Sequence, residues 1–205
     1  MSPDDLSGRA CLALAAALPL WLSGCATVVF PPARVADPVQ VGVLDHGRHA
    51  SLILPAPGGD MLLYAYGDWT WYALKQTGIL EGGSAVLWPT RAALGRRRLP
   101  GPFSAAAVAR EVVVPIEHTL YLTVDAADVA RLVDGLERIF DANPTARVYN
   151  ETYDLVFAPH PDPYWIFHNS NQVVAGWLEE LGCRVEGSTI LSDWRLGDRQ
   201  HAADA

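Results

Sequence analysis

The sequence has no basic stripe, no apolar run of membrane-spanning length and no cysteine pair to cross-link its body, and each shortage excludes something. Of 205 residues, 15 are Lys or Arg and 23 are Asp or Glu, a formal net charge of -8. That balance leaves no surface for phosphate, so nucleic acid is not an expected partner. The single basic run, Arg96 to Arg98 in "GRRR", reads as a solvated loop. Residues 10 to 24, "ACLALAAALPLWLSG", are uncharged and apolar but shorter than the roughly 20 residues a spanning helix needs. No internal repeat is visible.

What is present begins with that apolar run, which has the length of a signal-peptide core and ends in "LSGC", Leu22 to Cys25. The tetrapeptide resembles the lipobox of bacterial lipoproteins, although Asp4 and Asp5 precede it against Arg9 alone. The resemblance implies cleavage before Cys25 and lipidation of its thiol. The membrane would then be a partner through the lipid, and the protein would sit in the cell envelope, on the periplasmic face of the outer membrane in a Gram-negative cell. On this reading residues 1-24 are a signal peptide, 25-38 a lipidated N-terminus and linker, 39-195 a single domain and 196-205 a polar tail. Cys11 and Cys25 are thereby spoken for, and Cys183 is expected to be a buried, inert thiol.

"VQVGVLDH" (39 to 46), "HASLILP" (49 to 55) and "MLLYAYGD" (61 to 68) are rich in Val, Ile and Leu and read as strands. The "APGGD" between the last two supplies a hairpin turn. "HTLYLTV" (118 to 124) is a further strand, after which Asp125 caps a helix with Val129, Leu132, Val133, Leu136 and Phe140 on one face. An apolar strand through "YWIF" feeds the helix "SNQVVAGWLEELG". Its Val174, Trp177, Leu178 and Leu181 share a face that also takes in Ser170. Residues 76 to 110 read as an irregular flap in which "TRAALGRR" forms one short helix. The sum is an α+β domain, a mostly antiparallel sheet packed against helices.

Three short stretches carry the polar residues of interest: "DHGRH", "YGDW" and "HNSN". In a hairpin turning near residues 56 to 59, His49 would lie opposite a residue near 66 to 68, which makes Asp68 its candidate carboxylate. Ser170 at a helix start would have amides nearby to serve an oxyanion, completing a candidate triad of Ser170, His49 and Asp68. Each has a plainer role too: Asn169 or Ser170 as a helix cap, His49 as a bonded strand histidine, Asp68 as a turn residue after Gly67. Trp69, Trp71 and Tyr72 read as core or cleft wall. A metal site is a weaker alternative, drawing on His46 and His49 with His160, His168 and Asp45 or Asp162. It is weakened because two histidines three apart on a strand face opposite ways. No metal or other cofactor is therefore expected.

In their order and spacing, "DHGRHASLILP", "YAYGDWTWY", "VLWPT", the helix after "LYLTV" and "YWIFHNSNQVVAGWLEELG" resemble the bacterial family called domain of unknown function 2459. The likeness runs over roughly residues 41 to 185. That family in turn resembles the permuted branch of the papain-like peptidases and amidases, in which the histidine strand precedes the helix bearing the nucleophile. The resemblance implies His49 as the base and a cysteine at the place of Ser170, between Asn169 and Asn171; Asn169, Asn171, His168 and His46 are candidate supporting or ligand-binding residues beside them. The thiol is absent here, and the loss is physical. A thiol of pKa about 8.5 is drawn toward thiolate by a helix N-terminus and an imidazolium, whereas a hydroxyl is not. The expectation is a degenerate domain that binds peptide, amide or cell-wall ligands. Its rival is an active serine hydrolase acting by general-base attack.

Overall fold

The computed structural model describes residues 26-75 and 88-197. The expected signal segment, Cys25 and most of the polar tail lie outside the described residues. Among the described residues no helix is long and apolar enough to cross a membrane.

The three apolar runs become strands β2 (Pro38–Asp45), β3 (Ala50–Pro55) and β4 (Met61–Asp68). Gly58 and Gly59, at φ 89° and 86°, make the turn between β3 and β4, taking a conformation open to glycine at no steric cost. The register runs from Pro55 opposite Met61 to Ser51 opposite Ala65. With β5 (Thr90–Leu99), β6 (His118–Asp125), β7 (Val148–Asn150) and β8 (Leu155–Tyr164) they form one antiparallel sheet in the order β6-β2-β3-β4-β5-β8-β7. β1 (Thr27–Phe30), β9 (Arg184–Gly187) and β10 (Trp194–Leu196) form a second, with β1 parallel to β10 and antiparallel to β9.

Strand alternation divides the interior in two. Ala50, Leu52, Leu54, Leu62, Tyr64 and Tyr66 face the helices α3 (Ala126–Asp141) and α4 (Ser170–Glu180). Leu44, Ile53, Met61 and Leu63 face the other way, toward α1 (Trp69–Tyr72) and α2 (Ala105–Glu111). The apolar stripe expected on α3 is buried at all five positions. At about 1.5 to 3 kcal/mol for each fully buried side chain, that stripe holds the helix to the sheet. Its cap is Asp125, which accepts from the Ala127 amide at 3.0 Å and, with its other oxygen, from the Ala36 amide at 2.8 Å.

Four expectations need correction. "TRAALGRR" is not a helix but the first eight residues of β5, and residues 105 to 111 of the supposed flap are α2, while 76 to 87 fall outside the described residues. Ala, Leu and Arg favour helix, but a strand with neighbours on both sides is set by packing, and the buried run Ala92 to Gly95 fits between β4 and β8. The arginines are therefore not a solvated loop: Arg96 pairs with Glu137, Arg97 with Asp154 at 2.9 Å and Arg98 with Asp60 at 2.8 Å. Second, the supposed linker holds β1 and the start of β2, and Leu196 belongs to β10 rather than to a tail. Third, the strand before α4 ends at Tyr164, and Trp165 to His168 form a turn closed by a 2.9 Å bond from the His168 amide to the Trp165 carbonyl. Its prolines 159, 161 and 163 lie where β7 has ended, the kind of half-paired stretch in which a strand tolerates proline. Fourth, "HGRH" is a turn, as described next.

Candidate functional site

At the head of α4 the cap is Asn169. Its side-chain oxygen accepts from the amides of Asn171 at 2.9 Å and Gln172 at 3.2 Å, and Gln172 returns a bond to the Asn169 amide at 2.9 Å. This reciprocal capping box satisfies the first turn and releases Ser170 from the task. Ser170 is buried, as the shared face with Val174 requires. Asn171, 1 % exposed, donates from Nδ2 to the Arg48 carbonyl at 3.3 Å, so the helix head rests on the turn between β2 and β3. Its Oδ1 is buried and has no partner among the described residues.

That turn is closed by the His46 amide bonding the His49 carbonyl at 2.9 Å, with Gly47 at φ 86°. Asp45 supports it, accepting from the Gly47 amide at 2.8 Å and from the Ser192 hydroxyl. His46 and His49 are thus not opposed across a strand; their rings stand 6.1 Å apart. The Pro115 carbonyl, 2.8 Å from His46 Nδ1, can only accept, so Nδ1 carries the proton and Nε2 accepts from the Ser51 hydroxyl at 2.9 Å. Burial holds the His46 pKa below the ordinary histidine value. His49 is lowered further, to about 4, by burial first and then by His46 and Arg48, against an opposing pull from Asp45. Both imidazoles are neutral at pH 7. They border a cavity of only about 40 Å³ with Tyr72 and Arg97.

The three residues of the candidate triad do not meet. Continuing the hairpin register two residues past Ser51–Ala65 sets Gly67 opposite His49, and both face Tyr72. A Cβ at Gly67 would lie 2.3 Å from the Tyr72 ring, which is why glycine stands there. Asp68, one residue on, turns to the other face. Its carboxylate caps α1 through the Trp71 amide at 2.8 Å and receives the Thr90 hydroxyl. The His49 ring lies on the Tyr72 side of the sheet, whereas α4 packs on the opposite side. Among the described residues no hydrogen bond joins Ser170 to His49, or His49 to Asp68.

Roomier space lies elsewhere among the described residues. A groove of about 790 Å³ runs between α3 and α4 over β8, bordered by Leu136, Ile139, Val173 and Trp177 and by the polar His160, His168, Arg138 and Glu180. Its size suits a small organic ligand or short peptide. At one end Tyr66 stands between the two histidines, its ring 5.0 Å from that of His160 and 5.4 Å from that of His168. The Tyr66 hydroxyl bonds the Pro163 carbonyl at 3.0 Å and His168 Nδ1 at 3.0 Å. Burial raises the Tyr66 pKa and lowers that of His160. Each helix offers a glycine to the groove, Gly135 and Gly176, and a Cβ at Gly176 would meet nothing within 4 Å.

The sequence signalled His160 only as a weak metal candidate and His168 as a metal candidate or a supporting, ligand-binding residue, and nothing in it singled out Tyr66, Ser51 or the two glycines. The glycines were discoverable in principle, since one inside each amphipathic helix is a cost that calls for a reason. Among the described residues no group of three or more His, Cys, Asp or Glu side chains is placed to hold a metal ion. Cys183 is buried, and burial pushes its thiol up to about 12. Comparison of the chain with family models, with curated proteins and with solved structures finds no match.

Proposed function

We propose that this chain is a lipid-anchored cell-envelope protein whose degenerate, permuted papain-like domain binds peptide, amide or cell-wall ligands without turning them over. The observation that carries the reading is the groove of about 790 Å³ between α3 and α4, set against a helix head whose serine has no base bonded to it among the described residues. A hydroxyl becomes a nucleophile only when a base takes its proton. His49 faces Tyr72 instead, and Asp68 is occupied by α1 and Thr90. A second reading, an active serine hydrolase, draws on the Asn171 bond to Arg48, which keeps the helix head beside the turn bearing His49.

Two experiments separate them. Soluble cell-wall fragments are expected to bind wild type and not Gly176→Leu, whose side chain would fill the groove; equal binding by both removes the groove as the site. A serine-directed fluorophosphonate is expected to leave the protein unlabelled. Labelling that disappears in Ser170→Ala would instead establish the hydrolase. For the anchor, Cys25→Ala is expected to release the protein from the membrane fraction, and retention there would contradict it.

A further inference from the structure

We infer that the groove between α3 and α4 recognises a backbone amide of a short peptide, with His160 donating to the amide carbonyl and His168 accepting from the amide N–H. The assignment rests on the groove reading above and names its ligand class.

It comes from the heavy-atom partners of the two rings. His168 Nδ1 lies 2.8 Å from the Pro163 carbonyl, which has only lone pairs to offer, and the neighbouring Tyr66 hydroxyl donates to the Asp162 and Pro163 carbonyls at 3.2 and 3.0 Å, so Nδ1 carries the hydrogen. In the neutral ring Nε2 is then an acceptor, and it is the ring nitrogen left to a ligand. His160 is wired the opposite way. The Asp162 amide donates to His160 Nδ1 at 3.1 Å, so that nitrogen is bare and Nε2 carries the proton. Burial keeps this ring neutral, and its side chain is only 7 % exposed. Tyr66 stands between the two and bonds the first, fixing their relative placement.

Two imidazoles on one groove, one donor and one acceptor, form the complement of a planar group with an acceptor on one edge and a donor on the opposite edge, as the C=O and N–H of a trans peptide are. A peptide unit is that group. An ester has the carbonyl but not the N–H, and a carboxylate has two acceptors and would meet the bare nitrogen of His168 unfavourably. The rest of the groove fits a short peptide. Leu136, Ile139, Val173 and Trp177 offer apolar contact to side chains, while Arg138 and Glu180 have no ion pair among the described residues and carry charges opposite to a C-terminal carboxylate and an N-terminal ammonium. Gly135 and Gly176 supply room: the nearest atom to a Cβ at Gly135 is Arg138 Nη2 at 3.8 Å. A helix that leaves out a side chain at no packing gain is shaped for something else to occupy the space.

The test compares tetra-alanine with the analogue in which the central amide N–H is replaced by an ester oxygen, by calorimetric titration into the protein. Losing one hydrogen bond and leaving its acceptor unpaired predicts an ester that binds wild type about tenfold more weakly. In His168→Phe the two ligands are expected to bind alike, and His160→Phe is expected to weaken both. Equal affinity of the two ligands for wild type overturns the assignment without recourse to any variant, as does failure of tetra-alanine to bind, or discrimination that survives in His168→Phe. Gly176→Leu tells the two levels apart. If it blocks tetra-alanine while amide and ester are not distinguished, the groove stands and the amide assignment falls. If tetra-alanine binds Gly176→Leu as it binds wild type, the groove reading falls as well.

Discussion

Filling the groove one methyl at a time should make the protein more stable and less able to bind. Gly135 lies inside α3 and Gly176 inside α4, where glycine costs about 0.5 to 1 kcal/mol relative to alanine through the backbone freedom it surrenders on folding. A new Cβ at Gly176 meets no atom within 4 Å, and one at Gly135 meets only Arg138 Nη2 at 3.8 Å, an ordinary contact. No clash offsets the gain, so Gly135→Ala and Gly176→Ala should each stabilise by about 0.5 to 1 kcal/mol, and together by about 1 to 2 kcal/mol. For a domain of this size each kcal/mol is worth about 2 to 4 °C in Tm. Thermal unfolding followed by far-UV circular dichroism reads this directly, and titration with tetra-alanine reads the cost in binding. A Tm that falls in either variant would refute the reasoning, because it would show that the space at these glycines is already used in the folded protein.

Three further outcomes are expected. Asp68→Ala should cost about 1 kcal/mol through the lost cap of α1 yet leave the His49 titration seen by NMR unmoved, since the two face opposite sides of the sheet; a displaced His49 titration would contradict the register. His49, His46 and His160 all have lowered pKa values in the folded protein, so the unfolded chain binds more protons at acid pH. Stability should therefore fall as pH drops below about 6.5, with the His49 contribution complete near its folded value of about 4, and His49→Gln should shallow the slope measured by urea unfolding between those limits. Cys183, its thiol pushed up to about 12, should react with a thiol reagent only as fast as the protein opens, and rapid reaction in the native state would contradict its burial.

Most of β2, β3 and β4 could be read from the sequence as continuous apolar runs buried on both faces, and β6 and the two long helices because each buries one side of an ordinary period. Asp125 as a cap and the stripe from Val129 to Phe140 follow from residue type and spacing alone. β5 could not be read this way. Its Ala and Arg residues favour helix, and only the presence of β4 and β8 on its flanks makes it a strand. The candidate site failed on a finer point: hairpin side chains alternate, so a difference of one residue decided that Gly67 and not Asp68 faces His49. The groove was invisible because it is assembled from three separate elements, α3, the end of β8 and α4, and because the ring nitrogens of His160 and His168 acquire distinct roles only from the backbone groups they meet.

The central claim, that ligand binds between α3 and α4 and not at Ser170, is tested most directly by NMR during a titration with tetra-alanine. Amide shifts are expected to concentrate at Gly135, Val173 and Gly176, with ring shifts at His160 and His168. Shifts confined to Ser170, His49 and Tyr72, with the two glycines unmoved, would contradict it.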